Sequence, residues 1–580
     1  MKELLLGNEA VARGIYEAGV KVVSSYPGTP STEITEAAAQ YDEVYCEWAP
    51  NEKVAAEVAA GASFGGARSF CAMKHVGLNV AADPLFTMSY IGVNGGMVFG
   101  VSDDPGLHSS QNEQDSRHYA IAAKLPMLEP ADSEECRDFT KLAYEISEQF
   151  DTPVILRLTT RISHSRSIVE LGEREERELK PYTKDPAKNV MLPAFAKPKH
   201  VVVEERTKKL SDWAENCNLN VIEDNQSKIG VIAAGVVYQY AKEALGNTAS
   251  YLKLGMVNPL PVELIRKFAS MVDQLYVIEE LDDVIETHCR KHGIAVIGKE
   301  MFPRCDEFSQ NVIRRCMLNE IPQTKSVTES VPVRPPVMCC GCPHRGLFYA
   351  LKKAKVYVSG DIGCYTLGAS APLGAMDTCV CMGASVSALH GYNKARGAEA
   401  EKKSVAVIGD STFIHSGITG LIDIAYNRSN SVVIILDNSI TGMTGHQQNP
   451  TTGYTIKGDP TSAVNLEALC KAVGITRVRV CDPYNLTEVQ TVLKEELEAD
   501  GPSVIISRRP CALLKYVKRK PSLTVVSEKC IGCKACLGIG CPAISMKNGK
   551  ASIDYTQCVG CGVCESLCAR GAITAQEVKA

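Results

Sequence analysis

Eight of the chain's 24 cysteines fall close to its C-terminal end, in two nearly matching runs. The first is Cys530-x2-Cys533-x2-Cys536-x4-Cys541-Pro542, the second Cys558-x2-Cys561-x2-Cys564-x3-Cys568. Thiolates in this rhythm hold iron–sulfur clusters, which pass electrons one at a time. Zinc seldom takes four cysteines per run at this spacing. A disulfide framework needs an oxidising compartment, and the opening MKELLLGNEAVARG has no basic leader or cleavage site. A different chemistry sits upstream. Gly409-Asp410-Ser411 ends the apolar run VAVI, and Asp437-Asn438 ends VVIIL. Both runs read as buried strands, Ser404–Ile408 and Ser431–Leu436. An acid and an amide leaving the C-terminal ends of two parallel strands converge where such sheets bind ligands. Their oxygens suit Mg²⁺ holding a diphosphate.

The cysteine runs are similar to those of two-cluster bacterial ferredoxins, in which the fourth cysteine of each run serves the other cluster. That resemblance implies one [4Fe–4S] cluster on Cys530, Cys533, Cys536 and Cys568, and a second on Cys558, Cys561, Cys564 and Cys541. The first run is one residue longer than the usual pattern, and Cys568 is followed by Ala569 instead of proline. The Gly409-Asp410-Ser411 and Asp437-Asn438 pair resembles the thiamine diphosphate signature, with Ser411 and Asp437 departing from its usual residues. The resemblance implies Mg²⁺ on Asp410, Asn438 and the carbonyl of Ile440. It also implies a second fold that binds the pyrimidine.

Tyr26-Pro27-Gly28-Thr29-Pro30-Ser31-Thr32 resembles the YPxTPS loop of the 2-oxoacid:ferredoxin oxidoreductases. NEKVAAEVAAGAS, MKHVGLNVAADPL, DDPGLHSSQNEQDSR, GCPHRG and GDIGCYTLG extend the likeness over essentially the whole chain. They resemble the large subunits of the arylpyruvate (indolepyruvate) branch of that family. The resemblance implies oxidative decarboxylation of an arylpyruvate with coenzyme A to an aryl-acetyl-CoA and CO2, electrons leaving to an external ferredoxin. It also implies a smaller second subunit and a heterotetramer. Glu52 fits the acid that activates thiamine, with Glu57 as the alternative. Thr29 matches a hydroxyl near the substrate carbonyl, and Arg117 a guanidinium for the substrate carboxylate. Gly383 opens a helix whose amides suit a diphosphate. A third cluster near thiamine would use Cys339, Cys342, Cys364 and Cys511, with ordinary loop thiols as the competing explanation and Cys340 as a rival ligand. A nonoxidative thiamine decarboxylase, or an oxidoreductase for another 2-oxoacid, stands as the alternative activity.

These groups need an α/β scaffold of several domains. At 580 residues and 45% hydrophobic content, about three to five domains of ~100–200 residues are expected. Residues 1–165 alternate strands and Ala-rich helices and match the pyrimidine-binding fold. Residues 166–199 read as a charged linker. Residues 200–322 resume the alternation and resemble a transketolase C-terminal domain, with Glu279–Asp283 expected as a solvated turn. Residues 323–332 are a second linker, 333–518 the diphosphate and Mg²⁺ domain, and 519–580 the two-cluster ferredoxin-like domain. A net charge of −5 argues against nucleic acid. No apolar stretch of ~18 residues suggests a membrane span, and the many thiols point to the reducing cytoplasm.

Overall fold

The computed structural model describes residues 1–320, 327–332 and 335–575. The linker expected at 323–332 therefore lies partly outside the described residues, as do 333–334 and 576–580. The chain forms two compact units, 1–328 and 329–580, both mixed α/β.

The first unit is built on a seven-stranded sheet. In spatial order its strands are Met256–Asn258, Met127–Leu128, Val154–Thr159, Met97–Asp103, Ser69–Lys74, Val22–Ser25 and Tyr45–Trp48. All neighbours run parallel except Met256–Asn258. Central strands such as SFCAMK and MVFGVSD are buried along their whole length, as helix-covered parallel strands must be. The helix Glu52–Phe64 forms because it is alanine-rich and because the Asn51 side chain accepts from the Val54 N–H at 2.9 Å, capping its first turn.

A four-stranded sheet follows, ordered Gln274–Val277, Ile229–Ala234, Ser250–Leu254 and Val221–Glu223. It is less separate than the sequence suggests. Met256–Asn258 leaves it to complete the edge of the first sheet, and one apolar core runs from Ala49 to Val296. The presumed linker 166–199 is also partly ordered. Arg166–Glu170 pairs antiparallel with Lys2–Leu6, and the helix Pro193–Ala214 starts inside it. Its charges sit on an edge strand and exposed turns, so hydropathy alone could not separate it from a linker.

The second unit holds a six-stranded parallel sheet. Its order is Thr378–Cys379, Tyr357–Gly360, Ser404–Gly409, Val432–Asp437, Ser503–Arg508 and Arg477–Cys481. Ser404–Gly409 and Val432–Asp437 are adjacent and wholly buried, with apolar cores on both faces. Beyond residue 519 come two short antiparallel pairs, Leu523–Val525 with Ile573–Ala575 and Ile544–Lys547 with Lys550–Ile553. Their small core includes Cys536 and Cys564. Among the described residues no helix is long and apolar enough to cross a membrane.

Candidate active site and electron path

In the second unit, Asp410 begins the turn after Ser404–Gly409, and Asn438 follows the neighbouring strand. The strand register pairs Gly409 with Leu436, which brings both chain exits to one end of the sheet. Asp410 is 2% exposed and accepts from the Ser411 N–H at 2.8 Å and the Thr451 hydroxyl at 3.3 Å. Burial first, and the charge of Asp437 second, push its carboxyl up to about 7. Asp437 itself is held by Arg508 at 2.7 Å. A buried carboxyl beside a second acid is an environment that a hard divalent cation relieves. Asn438 and Ile440 are buried with it. Thr441 donates to the Ser411 hydroxyl at 3.0 Å, and Asn449 donates to Thr441 at 3.3 Å. Asn449 and Thr451 carried no signal in the sequence beyond the polar turn NPTTG.

Asp361, also missed, changes the role expected of Gly383. Its buried carboxylate accepts from the amides of Ile362 at 2.8 Å, Gly383 at 2.9 Å and Ser385 at 2.9 Å. The N-terminus of the helix Ala384–Arg396 is thus already occupied by an internal acid, and Gly383 offers no free amide to a diphosphate. What Gly383 supplies is a left-handed turn (φ +85°) and a close approach to Ser416, whose hydroxyl would stand 2.4 Å from an added Cβ.

In the first unit, Glu52 is buried at the start of its helix, pressed against Gly77. Glu57 is exposed and pairs with Lys53. Thr29 is half-buried, and its carbonyl accepts from the Ser109 hydroxyl at 3.4 Å. Lys74 lies against Gly28 and donates to the Ser109 carbonyl at 2.9 Å; burial lowers its ammonium to about 8. His75 is buried, with Nε2 3.1 Å from the Asn112 carbonyl.

Arg117 does not fit the role of a substrate clamp. It is 2% exposed, and its donors are committed to Asp115, Glu279 and the carbonyls of Glu280 and Asp282. These ion pairs hold the guanidinium well above its usual range despite burial. Of the acid run expected as a solvated turn, Glu279 and Glu280 are buried, while Asp282 is exposed. Glu279 also accepts from the amides of Ile285 and Glu286, each at 3.0 Å, and Glu280 accepts from Phe308 at 2.7 Å. Burial pushes Glu280 up to about 7.

The C-terminal cysteines fall into two neighbourhoods. Cys530, Cys533, Cys536 and Cys568 line one cavity of about 220 Å³. Backbone amides aim at its sulfurs: Ala551 at Cys530 Sγ, 3.4 Å, and Ala572 at Cys568 Sγ, 3.3 Å. In the second set, Cys564 is buried, and burial with the neighbouring Cys561, Cys541 and Cys558 pushes its thiol up to about 12. Burial likewise raises Cys342 to about 12, with Cys364 and Cys339 close enough to contribute. Cys364 rises to about 11 by burial, with Cys511 and Cys339 adding. The third set is therefore also a neighbourhood. It adjoins the Asp410–Asn438 end of the sheet: Cys511 N–H donates to the Asn438 carbonyl at 2.9 Å, and Gly442 stands between Cys364 and Asn438. On its other side, Tyr484 donates to the Gly341 carbonyl, and Gly341 (φ +69°) approaches Val559 so closely that a Cβ would meet it at 2.2 Å. Cys340 lies beside Cys541, which raises its thiol further after burial, to about 11. Among the described residues, no three His, Cys, Asp or Glu side chains converge tightly enough to hold a single ion.

Family comparison agrees with this two-part layout. The family described as "Pyruvate flavodoxin/ferredoxin oxidoreductase, thiamine diP-bdg" matches residues 13–229, and "Thiamine pyrophosphate enzyme, C-terminal TPP binding domain" matches 361–507. "Indolepyruvate oxidoreductase subunit IorA" of Archaeoglobus fulgidus is 41% identical, over 99% of this chain and 97% of its own. The chain belongs to the IorA family. The Thermococcus kodakarensis IorA is 42% identical over 97% of this chain and 96% of its own. Outside the IorA family, "2-oxoglutarate synthase subunit KorA" of Archaeoglobus fulgidus is 26% identical, over 52% of this chain and 96% of its own. A solved 2-oxoglutarate:ferredoxin oxidoreductase from Magnetococcus marinus aligns at 18% identity and TM-score 0.46, over 54% of this chain and 64% of its own. That likeness is too loose to add to the assignment.

Proposed function

We propose that the chain is the thiamine-diphosphate-dependent large subunit of an indolepyruvate:ferredoxin oxidoreductase. It converts an arylpyruvate and coenzyme A to an aryl-acetyl-CoA and CO2 and passes two electrons to an external ferredoxin. The observation that carries this is the packing of Cys364 and Cys511 against the Asn438–Gly442 loop. Thiols placed to hold an electron-accepting cluster at this end of the sheet are what an oxidative reaction needs, and a nonoxidative decarboxylase has no use for them.

Asp410, Asn438 and the Ile440 carbonyl would hold Mg²⁺ and through it the diphosphate. Bound thiamine would supply a nucleophilic carbon for the keto group and a cationic ring as sink for the electron pair released with CO2. Glu52 is the acid for the pyrimidine. Its burial at a helix start suits that role, whereas Glu57 is spent on Lys53. Thr29 lies on the loop that would face the substrate carbonyl. Cys530, Cys533, Cys536 and Cys568 are the ligands of one [4Fe–4S] cluster, since a cubane needs thiolates around a cavity and not around a point. Cys541, Cys558, Cys561 and Cys564 hold a second, and Cys339, Cys342, Cys364 and Cys511 a third. A smaller second subunit would complete a heterotetramer in a reducing cytoplasm.

Reduction of a low-potential dye by the purified enzyme tests this. Indolepyruvate with coenzyme A should support reduction, and pyruvate should not. Reduction by pyruvate alone overturns the arylpyruvate assignment. Iron content should be about twelve per chain; about eight removes the third cluster, as each cubane holds four.

A further inference from the structure

Residues 519–575 carry seven Lys and Arg against three Asp and Glu, in a chain whose net charge is −5. Five of the seven gather around one set of cysteines. Lys529, Lys534 and Arg570 line the cavity with Cys530, Cys533, Cys536 and Cys568. Lys547 and Lys550 flank the turn of the hairpin whose Ala551 amide points at Cys530. All five cations are exposed. Among the described residues none of them is in an ion pair, and Lys550 donates instead to the Ser527 carbonyl at 2.7 Å. Glu528 is the single carboxylate between 519 and 553. Among these charges stand Ile531, 63% exposed, and the exposed Cys533.

The second set is placed differently. Val559 and Gln557, beside Cys558 and Cys561, meet the 340–341 loop. Electrons arriving from the Asn438 end therefore reach Cys558–Cys564 first. The set around Cys530 is the one with an exposed cysteine, Cys533, and it is ringed by five unpaired cations; the second set has a basic cavity on the Cys561 side, lined by Lys518, Arg519 and Lys520.

We propose that this basic face is the docking site of an acidic one-electron carrier protein, and that electrons leave the chain through the cluster of Cys530, Cys533, Cys536 and Cys568. This rests on the function proposed above. Each docked carrier takes one electron from the reduced cluster and is itself reduced by one. Two carriers clear the pair released with each CO2, and no bond or proton moves at this face. Charge complementarity fits the task, because carriers must arrive and leave quickly. Opposite charge speeds encounter by about 10–10³-fold, while the contact itself stays small.

The test uses the assembled holoenzyme and a purified acidic ferredoxin, with a small dye in parallel. Lys547→Glu/Lys550→Glu, on the hairpin and outside the cavity, should lower kcat/KM for ferredoxin about tenfold or more, mainly through KM. Dye reduction and iron content should stay at wild-type levels. Rising salt should slow wild-type ferredoxin reduction and affect the variant less. Lys547→Gln/Lys550→Gln should give a smaller loss in the same direction. The comparison variant is Lys518→Glu/Arg519→Glu, at a second basic cavity beside Cys561. Unchanged ferredoxin kinetics in Lys547→Glu/Lys550→Glu overturn the proposal. A loss confined to Lys518→Glu/Arg519→Glu also overturns it and moves the exit to the other set. Wild-type enzyme without iron or dye reduction would sink the underlying cluster chemistry itself, a result distinct from either.

Discussion

Glu52 and Arg117 look alike in the sequence: each is an ionisable residue in a motif shared with a known family. The structure separates them by what else reaches them. Glu52 stands at a helix start against Gly77, within electrostatic reach of Lys74. Arg117 is a closed knot with Asp115 and Glu279. Glu52→Gln should therefore cut kcat by about 10²–10⁴-fold with an unchanged melting temperature, the mark of a lost proton-transfer group in an intact fold. Arg117→Ala should do the reverse. Leaving Glu279 without its ion pair, and Asp115 with Arg157 alone at 3.7 Å, costs about 3–5 kcal/mol, seen as a large drop in Tm, while the folded fraction keeps its KM for arylpyruvate. A KM rise of tenfold or more at unchanged Tm would return Arg117 to the substrate. The Asp410–Asn438 pair was legible because both residues sit at strand ends with fixed spacing. The Arg117 knot was not, because Glu279 lies 162 residues away and spacing carries no information across such a gap.

At the scale of elements, the parallel strands were the readable part. VVIILD and SVAVIG are apolar on both faces, and the structure shifts their ends by a single residue. The segment 279–283 misled for a physical reason. Consecutive acids usually mean a solvated turn, but here the first two, Glu279 and Glu280, follow the strand Gln274–Val277 into the shared core, where Arg117 and backbone amides receive them. That burial has a pH signature. Glu280 is raised to about 7, chiefly by desolvation, against its hydrogen bond from Phe308 and the nearby Arg157. A carboxyl raised in the folded state stabilises the fold below its unfolded value. That contribution fades as pH climbs from about 4 through about 7. Its loss is on the order of 3 kcal/mol. Glu280→Gln keeps the acceptor oxygen for Phe308 and removes the ionisation. Its Tm should fall less than wild type's between pH 5 and 8, and a slope identical to wild type's would show that Glu280 does not titrate there.

Over the second unit as a whole, the cysteine sets and the diphosphate loop form a sequence of contacts, not separate features. Asn438 and Gly442 touch the Cys364 and Cys511 neighbourhood, Tyr484 and Gly341 join it to the 558–564 loop, and the Cys530 cavity opens to solvent. The sequence could show the two terminal runs because their ligands are local. It could only suggest the third set, whose members come from four separate segments, and it could not show that Gly341 closes the gap to Val559. This arrangement predicts a specific defect. Cys364→Ser/Cys511→Ser should lower iron by about four per chain, one cubane, and leave the two C-terminal clusters reducible by dithionite. Reduction of those same clusters by indolepyruvate and coenzyme A should slow severely, because the link nearest the reaction has gone. Rapid-mixing spectroscopy with the two reductants separates the cases. Equal slowing with dithionite would mean that the double substitution had disturbed the whole unit, and normal rates with both would mean that electrons reach the C-terminal clusters without Cys364 and Cys511.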